Sequence, residues 1–301
     1  MPSTMPSPID PAAAAHMLAE LIEQVLGTSV APHTAALLRV CSDLGLRAYG
    51  REGDRLHHAL ADTLAALETV DYHLLADPGG RRHDPPDLGA FTPRQRTVLQ
   101  ALAPLEALGG DLETALQAQA GPVRRTQAEL RDECMQLGSA LAPGDNWIGD
   151  LWTTLKGLKP APGDRAGLED LRRLAETADR LRTRLRGLKA AGQSALEACG
   201  DAGRVMDSRA TLARLLRNDL RPAVGGWDKA VAKLLDGVRR PDVQLLPVEP
   251  AAQAHARLEA VLERGIALCV RLRQDQRAMQ RGLAAACEQL RAAAPAGPPR
   301  G

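Results

Sequence analysis

Histidine, cysteine and tryptophan are the side chains whose chemistry and spacing have to be explained first. Six of the seven histidines, His16, His33, His57, His58, His73 and His83, fall within the first 83 of 301 residues. Imidazoles so concentrated raise the question of a metal site, and His58 and Asp62, four apart, would share a helix face with Glu68 or Asp71 nearby. A carboxylate-bridged metal pair in a helical bundle needs Glu-x-x-His on two helices, and that motif is absent. The adjacent His57 and His58 point in different directions on a helix. These residues therefore read as surface or boundary histidines, with no metal ligand and no cofactor expected. The five cysteines, Cys41, Cys134, Cys199, Cys269 and Cys287, are widely spaced on or near apolar helical positions and form no CxxC pair. That is the pattern of buried, reduced thiols. There is no GxSxG, GxxxxGK[ST] or HExxH, and no GxGxxG after a strand, so no catalytic constellation is expected.

Two of the three tryptophans stand in "APGDNWIGDLWTTLKGLKPAPGD", residues 142 to 164, of a chain that is only 2% aromatic. Asp145 is placed to cap a helix on which Trp147, Ile148, Leu151, Trp152, Leu155 and Leu158 form one wide apolar stripe, opposite Asn146, Asp150, Thr153 and Lys156. Pro143-Gly144 before it and "KPAPGD" after it mark off a short amphipathic insert over 143–164. Two readings follow. In one, the insert closes an end of a bundle and buries its rings. In the other, it is a docking or membrane-interface element, since Trp suits both protein and lipid interfaces. Trp227, in "VGGWDKAVAKLL", reads as a core residue, although the Gly-Gly before it would also suit a joint.

Composition dictates the elements that must carry these residues. Apolar residues make up 45% of the chain and are nearly all Ala, Leu and Val, with one Phe and two Tyr. Ala, Leu, Arg and Glu favour long helices, and the residues that fill strands are scarce. Formal net charge is +1, which gives no general pull toward nucleic acid. The charge is unevenly spread. No Lys or Arg precedes Arg39, whereas residues 165–189 hold eight basic residues, among them Arg172, Arg173, Arg182, Arg184, Arg186 and Lys189, against four acids. Without aromatic residues to stack on bases, this run reads as a solvated helix face and not a nucleic-acid site. The N-terminal stretch lacks the basic region and apolar core of a signal peptide, and the longest charge-free run, Gln24 to Leu38, is 15 residues and contains Thr, Ser, Pro and His. A cytoplasmic protein without a transmembrane segment is expected, with export by another route left open.

Residues 1–9 and 292–301, rich in Pro and small residues, read as flexible termini around a single helical-bundle domain over 10–291. Asp10-Pro11 opens a helix to about Gly27, and a second region after Pro32 is interrupted at "YGREGDR". "ADPGGRRHDPPDLG" is a loop, after which Thr92-Pro93 is a cap and first turn for a region that Pro104 and Pro122 should kink. Leu171, Leu174, Ala178, Leu181, Leu185, Leu188, Gly192, Ala195 and Cys199 step by three and four, the spacing of a coiled-coil seam, up to Gly200. Residues 203–240 are helical with a break near Pro222 and Gly225-Gly226; "RRPDVQLLPVEP" is a loop; a last helix runs from about Ala251 to Ala293. Few loops and narrow seams predict an all-α, elongated antiparallel bundle of long, partly kinked helices.

With one special segment between two long central helices, and "GGWDKAVAKLLDGV" further on, the chain resembles the α-helical pore-forming toxins of the cytolysin A and haemolysin BL type. In that family a hydrophobic tongue between long helices enters the membrane. Residues 142–164 hold the corresponding place, but Asp150, Lys156 and Lys159 depart from an apolar tongue, so the resemblance implies a soluble partner subunit of a multi-component system. From the residues alone the expectation is a non-enzymatic scaffold or adaptor acting through a protein partner or self-association at Trp147, Ile148, Leu151, Trp152, Leu155 and Leu158. A membrane surface is a further possible contact, no small-molecule substrate is evident, and a metal-dependent helical enzyme is the remaining alternative.

Overall fold

The computed structural model describes residues 11–75, 88–159, 165–239 and 248–293. All regular structure among them is helical: α1 (Pro11–Val25), α2 (Ala31–Ala48), α3 (Glu52–Glu68), α4 (Leu88–Gly157), α5 (Arg165–Leu215), α6 (Arg221–Arg239) and α7 (Glu249–Ala293), with a 3₁₀ turn at Tyr72–Leu74. The chain is an all-α bundle, as its composition predicts. Residues 1–9 and 294–301, expected as termini, and most of the loops expected around residues 76–87 and 240–247 lie outside the described residues, whereas Ala292 and Ala293 belong to α7.

Several expected breaks do not interrupt the helices. α4 continues for 70 residues through Pro93, Pro104, Pro122 and Pro143. A helical proline deprives the carbonyl four residues earlier of its donor. Here those carbonyls behind Pro104, Pro122 and Pro143 belong to Gln100, Ala118 and Ser139, all exposed, so water can replace the lost bond. Thr92 is therefore an interior residue and not a cap. Asp145 is likewise interior, and the tryptophan segment is the end of α4 and no separate helix. α5 passes through Gly200 in the same way.

Two other prolines are handled by a wider turn. Leu26–Val30 and Leu216–Leu220 each form a five-residue π-helical turn ending two residues before a proline, Pro32 and Pro222. Widening the turn moves the carbonyl four residues back out of the pyrrolidine ring's way. Gly225-Gly226 then lies inside α6 without breaking it.

The sequence reads as one domain over 10–291; the contacts of the folded chain gather into two compact units. The first comprises the described parts of Met1–Arg47, Val123–Gly200 and Ala278–Gly301. There α4 and α5 run antiparallel, for Gln127 Nε2 donates to the Cys199 carbonyl at 2.8 Å while Cys134 Sγ faces the Gly192 carbonyl at 3.6 Å. The α5–α7 contact is also antiparallel: a Cβ at Gly282 would stand 2.9 Å from that of Ala198, and Ser194 Oγ lies 3.4 Å from Gln289 Oε1. The α5 seam is buried as its spacing predicts from Leu174 to Cys199, with Leu171 and Gly192 half-buried.

The second unit comprises Ala48–Pro122 and Asp201–Arg277. Its α3 and α7 run antiparallel, with Arg273 Nε on Asp54 Oδ1 at 2.9 Å and Leu60 against Gly265. Trp227 is fully buried, and its Nε1 donates to the Tyr72 hydroxyl at 2.9 Å. Tyr72 also packs on Phe91 and His255, with ring centroids 5.9 and 5.6 Å apart. Three of the chain's six aromatic residues thus pack together in one unit, which settles Trp227 as a core residue.

Candidate functional site

The end of α4 buries one edge of its apolar stripe and leaves the other open. Ile148, Leu151 and Leu155 are 5%, 0% and 9% exposed, whereas Trp147, Trp152 and Leu158 are half-buried. The two rings therefore do not seal a core. Trp152 instead forms a wall of a groove of about 600 Å³ between the end of α4 and α5. From α4 come Asp145, Ile148, Gly149, Trp152 and Lys156, one helix face by their spacing of three and four. From α5 come Arg182, Leu185, Arg186 and Lys189, again one face. Ile148 and Leu185 are the buried apolar members. Apart from its chain neighbours and its own helix backbone, nothing described lies within 4 Å of where a Cβ on Gly149 would stand, so the groove is open there. Trp152 Nε1 is shielded from water and has no acceptor among the described residues. A desolvated N–H without a partner costs about 1–3 kcal/mol.

The cations of α5 differ in their partners. Arg172 and Arg173 pair with Glu176 and Glu169 one helical turn away, at 3.2 and 3.1 Å. Arg184 turns the other way and donates from Nε to the Ala293 carbonyl at 2.6 Å, at the end of α7. Burial depresses the Arg184 pKa, and Glu23 partly restores it. Lys189 pairs with Asp145 across the groove. Lys156, Arg182 and Arg186 have no carboxylate partner among the described residues and are exposed. Four cations and one carboxylate line the groove, a surplus of three positive charges over an apolar floor.

The other sequence candidates do not assemble. His58 Nδ1 lies 2.9 Å from the carbonyl of Asp54 in its own helix, and His33 Nδ1 pairs with Glu133 at 3.1 Å. Among the described residues no three His, Cys, Asp or Glu side chains converge as a metal site. All five cysteines are free and buried. Burial, with Cys287, Cys134 and Cys199 nearby, pushes the Cys41 thiol up to about 12. No described helix is long and apolar enough to cross a membrane.

Of the six residues singled out from sequence, Ile148 and Trp152 line the groove, Leu151 and Leu155 are buried, and Trp147 and Leu158 stand outside the lining. Sequence reasoning missed Arg182, Arg186 and Lys156 as partners of the tryptophan. A local signal existed: neither Arg186 nor Lys156 has an acid three or four positions away, unlike Arg172 and Arg173. Their convergence depends on the antiparallel register of α4 and α5, with Asp145 opposite Lys189. No protein-family model, curated protein or solved structure matches this chain.

Proposed function

We propose that this is a non-enzymatic helical-bundle interaction protein, a scaffold or adaptor, that docks a protein partner in the groove between the end of α4 and α5. The observation that carries the reading is the half-buried Trp152 wall, beside three cations that have no carboxylate partner among the described residues. Aromatic and arginine side chains grouped around an apolar floor are the usual anchors of protein interfaces. A protein partner is favoured over a membrane wedge because none of the six segment residues is among the strongly exposed large hydrophobic side chains. A wedge must project apolar surface, and here the rings lie along a concavity.

Site-specific photo-crosslinking in the native cells tests this. Benzoylphenylalanine at Gly149, where open space faces the groove, should give a discrete protein adduct that Trp152→Ala abolishes. The same probe at Gly121, exposed with open space around it, is the control. Adducts from both positions alike, or from neither, would remove the docking groove as the basis of function.

A further inference from the structure

We infer that the occupant of this groove is an acidic, amphipathic helical segment of a partner protein, an inference that rests on the docking reading above. The groove presents two facing helical stripes. Asp145 to Lys156 spans eleven residue steps, about 16 Å or three helical turns, so a single helix of similar length matches it end to end. Ile148 and Leu185 supply an apolar floor for one face of such a helix, and Gly149 gives it close approach.

The rim sets the sign of the partner. Lys156, Arg182 and Arg186 lie within one short groove, where like charges reinforce one another over distances comparable to the Debye length of about 8 Å at physiological salt. The single carboxylate, Asp145, is engaged by Lys189. Glu or Asp side chains spaced by three and four on the incoming helix would meet these cations, with Arg182 and Arg186 one turn apart offering planar, bidentate donors. Nucleic acid fits less well, because a single ring and three cations are a short footprint without a stacking platform. A lipid surface fits less well because the groove is concave.

Fluorescence anisotropy with the purified full chain tests the inference. The probe is a fluorescein-labelled peptide of about 14 residues carrying Leu and Glu at helical spacing; its counterpart has Lys for every Glu. The Glu peptide should bind and weaken severalfold as salt rises from about 50 to 200 mM, and the Lys peptide should not bind. The double variant R182E/R186E, at exposed positions, should lose about tenfold or more, while R172E/R173E, outside the groove, should not. Circular dichroism confirms that both variants remain folded. Equal binding of the two peptides, or Glu-peptide binding indifferent to R182E/R186E, overturns the inference. So does tighter Arg182/Arg186-dependent binding of phosphatidylserine vesicles or a thymidine oligonucleotide. If the Gly149 adduct forms through a segment without acidic residues, the acidic occupant fails and the docking reading stands. If neither adduct nor peptide binding is found, both fail.

Discussion

Trp227 donates its indole N–H to the Tyr72 hydroxyl at 2.9 Å, joining α6 to the 3₁₀ turn 155 positions upstream. Trp152, by contrast, leaves its N–H without an acceptor among the described residues. One ring is tied into a core and the other stands in a groove wall. Tyr72→Phe keeps the ring but strands the Trp227 N–H in a fully buried site, and should cost about 1–3 kcal/mol. Trp227→Phe also removes volume and should cost more. In urea unfolding the double variant should lose less than the sum of the singles; strict additivity would mean the bond contributes nothing.

Gly282 allows α7 to approach α5, since its missing Cβ would lie 2.9 Å from the Ala198 Cβ and 3.5 Å from the Ala198 Cα. Neither atom can swing aside. Gly282→Leu should therefore destabilise by about 1–3 kcal/mol through overpacking. Gly138→Ala, exposed in α4 with open space around it, should stabilise by about 0.5–1 kcal/mol. Thermal unfolding of the two variants in opposite directions checks the contrast; a tolerated Gly282→Leu would refute the close approach.

Arg209 is 1% exposed, bonded to Gln119 Oε1 at 2.6 Å and paired with Glu52 at 3.5 Å. Its Nε and Nη2, and Glu52 Oε2, lack hydrogen-bond partners among the described residues. Burial depresses the arginine's pKa and Glu52 opposes that. Removing only the carboxylate leaves a buried charge uncompensated, so Glu52→Gln should cost about 3–5 kcal/mol. Arg209→Met replaces the ion with an apolar chain of similar length, and Glu52 retains some access to water, so the loss should be smaller. The order of the two chemical denaturation midpoints decides; a more damaging Arg209→Met would show that the charge itself is stabilising.

The buried thiols predict an alkaline weakness. Burial raises Cys41 and Cys269 from 9.0 to about 12 and Cys134 to about 11. Unfolded thiols release protons above pH 9 that the folded ones retain, so this contribution is intact below pH 9 and declines as pH rises through about 11–12. Tyr72, raised from 10.0 to about 12 by burial, adds to the decline. Urea midpoints should fall steadily above pH 9, and native thiols should react with alkylating reagents far more slowly than unfolded ones.

On the acid side, burial lowers His255 below its ordinary 6.5, with Glu259 opposing. The unfolded imidazole takes up its proton first, so stability should decline as pH falls below 6.5. His255→Gln should flatten that part of the pH profile; an unchanged profile would remove His255 as its source.

Helical class and much of the buried pattern were legible in the sequence because they are local properties. The Leu174-to-Cys199 stripe records which face of a helix leaves water, and the structure buries it accordingly. The interruption before Glu52 was also legible, from two closely spaced glycines. Prolines and glycines misled at Thr92, Pro143-Gly144 and Gly200, where the helices continue. Their local penalties of about 1–3 kcal/mol are small beside the burial gained over 70- and 51-residue helices. Tertiary structure alone decided the rest. Trp152, Arg182 and Arg186 belong to different helices, and only the register that sets Asp145 against Lys189 brings them around one groove. Registry between helices is fixed by packing along their whole length, so no short stretch of either helix contains it.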